Sequence, residues 1–236
     1  MIVLEQFLWV ILPYLVLTIF IGGHIWRYQY DQFGWTSKSS EVLEKRQLRL
    51  GSLLFHWGIL FVFFGHVMGI LIPEPVYETL GISEEAYHLI ALVGGIPAGL
   101  AALIGLIILI RRRLTVKRVR VTSSRGDWVA LFFLALVILT GLSSTMLNID
   151  SNGFDYRTTI GPWFRSVLMF RPNPAYMEQV PIWFKIHIIA ALGIFAVWPF
   201  TRLVHVFSLP LRYLRRSYVV YRKRMPKQAE QPNSIH

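Results

Sequence analysis

Four of the seven histidines in this 236-residue chain are surrounded by apolar residues. His56 and His66 lie in LFHWGILFVFFGH (54–66), and His187 and His205 lie in the stretch between residues 182 and 208. An ionisable side chain in such a setting is costly and by default marks a ligand site or a proton path. A lone histidine there can be explained by a hydrogen bond to a neighbouring helix. Two in each of two apolar segments, with no Asp or Glu inside either, are harder to explain as structure. The chain has no cysteine, which excludes disulfides, thiolate-bound zinc, protein-ligated iron–sulfur clusters and covalently attached c-type haem. Any redox chemistry must therefore come from a non-covalently held cofactor, with imidazole, thioether or carboxylate as ligand.

The elements that must position these rings are membrane helices. The chain is 54% hydrophobic and 16% charged, with a mean hydropathy of +0.49. Soluble domains carry roughly 45–50% apolar and about 25% charged residues. A bilayer core about 30 Å thick takes about 20 apolar helical residues to cross. Five segments qualify, at about 3–26, 48–72, 86–110, 127–148 and 182–208. No segment alternates as a transmembrane β-strand would. The expected fold class is therefore all-α, a polytopic bundle of five transmembrane helices over residues 1–224, followed by a polar tail at 225–236. The first segment has no basic stretch ahead of it and no small-residue cleavage site, so it reads as a retained anchor. The one long irregular stretch is 149–181, with Pro162, Pro172, Pro174 and Pro181. Within it, Trp163, Phe164, Val167, Leu168 and Phe170 predict a short amphipathic helix at the outer interface.

Charge gives the orientation. Lys and Arg outnumber Asp and Glu by 24 to 13, a net +11 that on a soluble core would suggest nucleic-acid binding. Here 20 of the 24 basic residues fall in 27–49, 111–125 and 202–236, all on one side of the bundle. Basic residues near helix ends stay cytoplasmic, which places the N-terminus outside and the C-terminus in the cytoplasm. The opposite loop, 73–85, has four Glu and no basic residue. The charge is thus a topology signal, not a nucleic-acid signal. The cytoplasmic clusters suit anionic lipid headgroups or the docking of soluble subunits.

Depth pairs the histidines. With these directions His66 and His187 lie near the outside, and His56 and His205 near the cytoplasm. Each pair could supply both axial ligands to a haem iron. Zinc fits poorly, because it needs tetrahedral closure at one point. On straight helices His187 and His205 share a face, but they are about 27 Å apart in rise against about 15 Å for His56 and His66. The second pair also differs by about 80° in direction, so tilt and a bend near Pro199 must absorb the mismatch. Gly51, Gly58, Gly65 and Gly69 recur along the second helix, and Gly193 along the fifth, where they admit either a flat macrocycle or another helix. Arg111, Arg112 and Arg113 could meet haem propionates or lipid phosphate.

The strings WRYQYDQFGW (26–35), LFHWGILFVFFGH (54–66) and PFTRLVHVFSLP (199–210) resemble the respiratory nitrate reductase gamma subunit family. The resemblance runs to about residue 224. It implies a membrane cytochrome b subunit with two haem b groups, the outer on His66 and His187 and the inner on His56 and His205. Arg112 is then a candidate propionate partner. It further implies oxidation of quinol or menaquinol near the outer haem, with protons released outside. Electrons would pass to an iron–sulfur beta subunit and a molybdenum-containing alpha subunit that reduces nitrate in the cytoplasm. The setting would be the cell (inner) membrane of a bacterium or archaeon. The family often has a Lys near the start of the third helix, implicated at the quinol site; this chain has Ala86, Tyr87 and His88 there. Gly65, His66 and His88 are the quinol-site candidates. Two other readings compete: a related dihaem subunit of a sulfite-reduction or heterodisulfide-type complex, and a haem-free anchor or transporter with a histidine proton relay.

Overall fold

A computed structural model describes residues 2–31, 35, 43–149 and 154–207. The tail at 225–236 lies outside the described residues. Every regular element among those described is a helix, as the apolar runs require. Five are long and apolar enough to cross a bilayer: Val3–Tyr30, Arg46–Leu71, Glu84–Thr115, Arg125–Leu147 and Ile182–Phe200. Successive spans run antiparallel. Side-chain bonds fix the two ends: Arg165 to Ile70 O and Ser144 to Trp183 O at one, Arg27 to Pro199 O and Arg113 to Asp127 at the other. We call the end bearing Val3 the upper end and that bearing Tyr30 the lower end.

Local signals set the boundaries. The fourth span opens on a capping box, in which Ser124 Oγ accepts from Asp127 N–H and Asp127 Oδ2 accepts from Ser124 N–H. Ser83 caps the third span, which has Glu84 and Glu85 in its first turn and Arg112 and Arg113 in its last, charges that complement the helix dipole. At 32 residues the third span is about 48 Å long, so it overruns the apolar core and carries its arginines past the lower boundary.

The fifth span is shorter than the 182–208 expected. Regular helix ends at Val197, a single tight turn covers Trp198–Phe200, Thr201 is extended (φ −118°, ψ 179°), and a second tight turn covers Arg202–Phe207. Pro199 is the cause: it has no N–H to donate and its ring crowds the preceding turn. The expected bend is there, but it is a full break. The argument that His187 and His205 share one helical face therefore fails, because no continuous helix joins them.

Small residues let the spans meet. A Cβ on Gly58 would lie 2.5 Å from Ala102 N and 2.7 Å from Ala98 O, so backbone touches backbone. Gly105 abuts Phe55 N in the same way, and Gly51 packs on Leu109. Apolar side chains gain little by leaving lipid, so such close approach is what holds membrane helices together. Gly51 and Gly58 therefore serve helix packing, and Gly193 receives the Phe133 ring. Phe61, Phe63 and Phe64 are each more than half exposed, as a lipid-facing surface requires.

The short helix expected in 149–181 forms at Ile160–Leu168. Its apolar side does not lie flat on a lipid surface. Trp163 and Val167 are buried; Trp163 stands edge-on to Trp9 at 5.7 Å and donates from Nε1 to Trp9 O at 2.9 Å. Leu168 and Phe170 point outward. The helix thus closes the upper end over the first span.

Candidate functional site

The two histidine pairs form as depth predicted. The imidazole centres of His66 and His187 are 6.0 Å apart, and those of His56 and His205 are 6.1 Å apart. Metal–imidazole bonds run about 2.0–2.1 Å and an imidazole nitrogen lies about 1.1 Å from its ring centre, so two rings flanking one ion stand about 6.3 Å apart. Both pairs match that spacing. The ring planes meet at 39° in the first pair and 72° in the second. Rings sharing one axis through an ion can take any such angle.

Hydrogen bonds fix the tautomers. Nδ1 of His56 lies 2.7 Å from Ser52 O, that of His66 2.8 Å from Val62 O, and that of His205 2.7 Å from Arg202 O. A carbonyl only accepts, so Nδ1 carries the hydrogen and Nε2 is the lone-pair nitrogen. His187 reaches the same state by another route. Its Nδ1 is 3.1 Å from Thr140 Oγ1, whose own hydrogen goes to Leu136 O at 2.7 Å, which makes the Thr140 oxygen the acceptor. Engaging one ring nitrogen orients an imidazole and raises the basicity of the other. His88 is arranged the opposite way: Nε2 donates to Ile149 O at 2.9 Å.

These residues suit haem and little else. No group of three or more His, Asp or Glu side chains able to hold a metal ion occurs among the described residues. Each pair offers two imidazoles and no third ligating side chain, which suits an iron whose other four ligands come from a planar macrocycle. Room is also available: a Cβ on Gly65 would meet nothing within 4 Å. Gly69 is different, since Tyr156 and the Tyr87 hydroxyl cover it.

Beyond the pairs, the sequence-predicted residues scatter. Arg112 is buried at the lower end, with Nε on Glu44 Oε2 at 2.7 Å and Nη2 on Glu44 O at 2.7 Å. The Gln47 N–H, and then Arg112, hold the Glu44 carboxyl below its usual range against the opposing effect of burial. Arg113 is committed to Asp127. At the start of the third span Tyr87 turns inward under the Arg157 guanidinium, 4.3 Å from the ring centre, and Asp155 chelates Arg157. Burial raises the Tyr77 and Tyr156 hydroxyls beside it.

Sequence reasoning missed two supports of His187. One is Thr140. The other is Gly141, where a Cβ would come within 2.9 Å of His187 Cε1. The Thr-Gly step inside the otherwise apolar run ALFFLALVILTGL was the available signal.

The family model described as "Nitrate reductase gamma subunit" matches residues 5–224. The nitrate reductase gamma chain of Bacillus subtilis (strain 168) is 65% identical over 93% of this chain and 98% of its own length. The respiratory nitrate reductase 2 gamma chain of Escherichia coli (strain K12) is 38% identical over 94% and 98% respectively. More distantly, an Hdr-like menaquinol oxidoreductase cytochrome b-like subunit of Archaeoglobus profundus is 26% identical over 69% of this chain and 48% of that protein.

Proposed function

Because the chain belongs to the nitrate reductase gamma subunit family, we propose that it is the quinol-oxidising, dihaem cytochrome b subunit of a respiratory nitrate reductase. Family membership makes it a multi-pass membrane subunit of an oxidoreductase complex and implies alpha and beta partner subunits. The observation that carries the finer reading is the matched spacing of the two pairs, 6.0 and 6.1 Å, with Nδ1 engaged in every ring.

In this reading His66 and His187 hold the outer haem b, and His56 and His205 hold the inner one. When bound, the haems supply one-electron carriers between a quinol at the upper end and an iron–sulfur beta subunit at the lower end, which feeds a molybdenum-containing alpha subunit. The protein's own residues do the rest. Ser52 O, Val62 O, Thr140 Oγ1 and Arg202 O orient the four rings and set their basicity. Gly65 leaves the side of the second span beside His66 open for a quinol headgroup, and the quinol protons leave on the outer side. His88 has its Nε2 given to Ile149 O, so this reading sets it aside and places the headgroup beside Gly65 and His66. Arg112 already binds a carboxylate in Glu44, the same chemistry a haem propionate offers. In this reading the lower end faces the cytoplasm, because 12 of the 16 basic residues among those described sit on that side. The name of the archaeal relative supports menaquinol as the quinol class.

A reduced-minus-oxidised spectrum of the purified complex tests this. Two low-spin b-type components are expected, with His66→Ala and His205→Ala each removing a different one. Retention of both components in both variants would refute the ligand scheme. Loss of menaquinol-dependent reduction alone would leave the ligands standing and refute the quinol reading.

A further inference from the structure

His205 lies in the short 3-10 turn Arg202–Phe207, beyond the end of the α-helix at Val197, and that sets it apart from the other three histidines of the two pairs. It follows the break at Pro199–Thr201, where α-helical bonding stops and only one 3-10 bond, Thr201 N–H to Trp198 O, is made before Thr201 turns extended. Something other than helix propagation must hold this segment, since an unsupported loop at the membrane boundary would leave the ring's position undefined.

Three spans grip it. From the first, Arg27 Nη1 donates to Pro199 O at 2.7 Å and to Thr201 O at 2.9 Å, satisfying two carbonyls that the broken helix leaves open. One turn earlier on the same face, the bare Gly23 lets Pro199 in: a Cβ there would be 2.8 Å from the proline Cβ. From the fourth, Asp127 takes Arg202 Nε on Oδ1, and Gly126 lies against Phe200 O. From the end of the third, Arg113 Nη1 donates to Asp127 Oδ2 at 2.9 Å, so the buried carboxylate is fixed from both sides. Arg202 is the junction. Its side chain is held by Asp127 while its carbonyl accepts from His205 Nδ1 at 2.7 Å. Thr201 is buried, its hydroxyl donating to Trp198 O and accepting from Leu203 N–H.

We infer that Arg27 and Asp127 are positioning residues for His205, clamping the Pro199–Arg202 break so that the imidazole meets His56 across the inner haem. This rests on the dihaem reading above. Neither residue touches the ligand ring; both act through the backbone that carries it. Both bonds come from one nitrogen, Nη1, and the ammonium of a lysine has the donors but ends one bond short of that position, so Arg27→Lys should restore only part of what Arg27→Gln removes.

The test uses the complex purified from membranes, with redox titration of the haem band resolved into two components. The component lost in His205→Ala defines the inner one. In Asp127→Asn and Arg27→Gln we expect that component to fall by half or more, or to shift in potential, with the other unchanged; Arg27→Lys should lie between Arg27→Gln and wild type. The outer component reports that the bundle has folded. Arg157→Gln, which breaks an equally buried ion pair at the upper end, should leave the inner component intact. Unchanged inner signal in Asp127→Asn and Arg27→Gln would overturn the inference. Equal loss of both components in those variants would also overturn it, by showing a general folding role. A wild-type complex without two components would refute the dihaem reading instead.

Discussion

Replacing Gly141 by Ala should disturb the outer histidine pair and nothing else. The added Cβ would sit 2.9 Å from His187 Cε1, 3.4 Å from Nδ1 and 3.5 Å from Nε2. Carbon–carbon contacts settle at about 3.5–4.0 Å, so the ring must move by about 0.6 Å or more. It cannot simply swing away, because Thr140 Oγ1 on the same turn holds Nδ1. Overpacking of this kind costs about 1–3 kcal/mol. On the dihaem reading, and at about 1.4 kcal/mol per factor of ten, that weakens retention of a haem held by His187 by roughly 5- to 150-fold. The assay is haem content per complex after washing, read with the reduced-minus-oxidised spectrum. Haem content should fall from two towards one, with the inner component unchanged. Gly94→Ala is the control, since a Cβ there meets nothing within 4 Å. A Gly141→Ala complex identical to wild type in both components would refute the placement of His187 against the fourth span.

Three further outcomes follow from the same contacts. Gly58→Ala forces a Cβ into the Ala102 and Ala98 backbone, so we expect a loss of about 1–3 kcal/mol in stability, seen as a lower temperature for loss of the haem spectrum in the intact complex. The Glu44 carboxyl is held below its usual range, first by the Gln47 N–H, so its contribution is complete above the unfolded carboxyl pKa of about 4.3 and is lost as pH falls through the depressed folded value; acid-unfolding curves should therefore flatten in Glu44→Gln. His88→Ala should change menaquinol oxidation less than twofold, because Nε2 is already committed to Ile149 O; a loss of tenfold or more in kcat/KM would place His88 in the quinol site.

The histidine pairs were legible because a membrane reduces the problem to one coordinate. Counting residues from a boundary gives depth, and depth alone matched His66 with His187 and His56 with His205. What surrounds the rings needed the lateral coordinates that counting does not supply. Gly51 and Gly58 fitted both macrocycle and helix packing until the third span was seen to lie on them. Gly65, in the same heptad series, faces open space. Charge was read too simply. Arg27, Arg113 and Arg202 all counted towards orientation, yet in the structure they converge on a broken helix and a buried carboxylate. Arg112, similarly, was read for a propionate and has a protein carboxylate on it. Counting one-sided basic residues for orientation thus conceals which of them are structural.

The break in the fifth span also resolves the mismatch between the two pairs. From His56 to His66 the second span advances ten residues, about 15 Å. From His187 to Val197, where regular helix ends, the fifth span advances the same ten residues and the same distance. A continuous helix to His205 would have added eight residues and about 12 Å, carrying that ring well past His56. Yet the two rings are only 6.1 Å apart. The eight residues from Trp198 to His205 therefore have to run mainly sideways, and Pro199, extended Thr201 and the tight turn from Arg202 let them do so. His66 and His187 sit within regular α-helix, whereas His205 sits in a 3-10 turn beyond the break, which Arg27 and Asp127 hold through Pro199, Thr201 and Arg202. If each pair holds a haem as proposed, substitutions at Arg27 or Asp127 should separate the two in any spectroscopic titration, whereas a substitution that loosens the whole bundle, such as Gly58→Ala, should move both together.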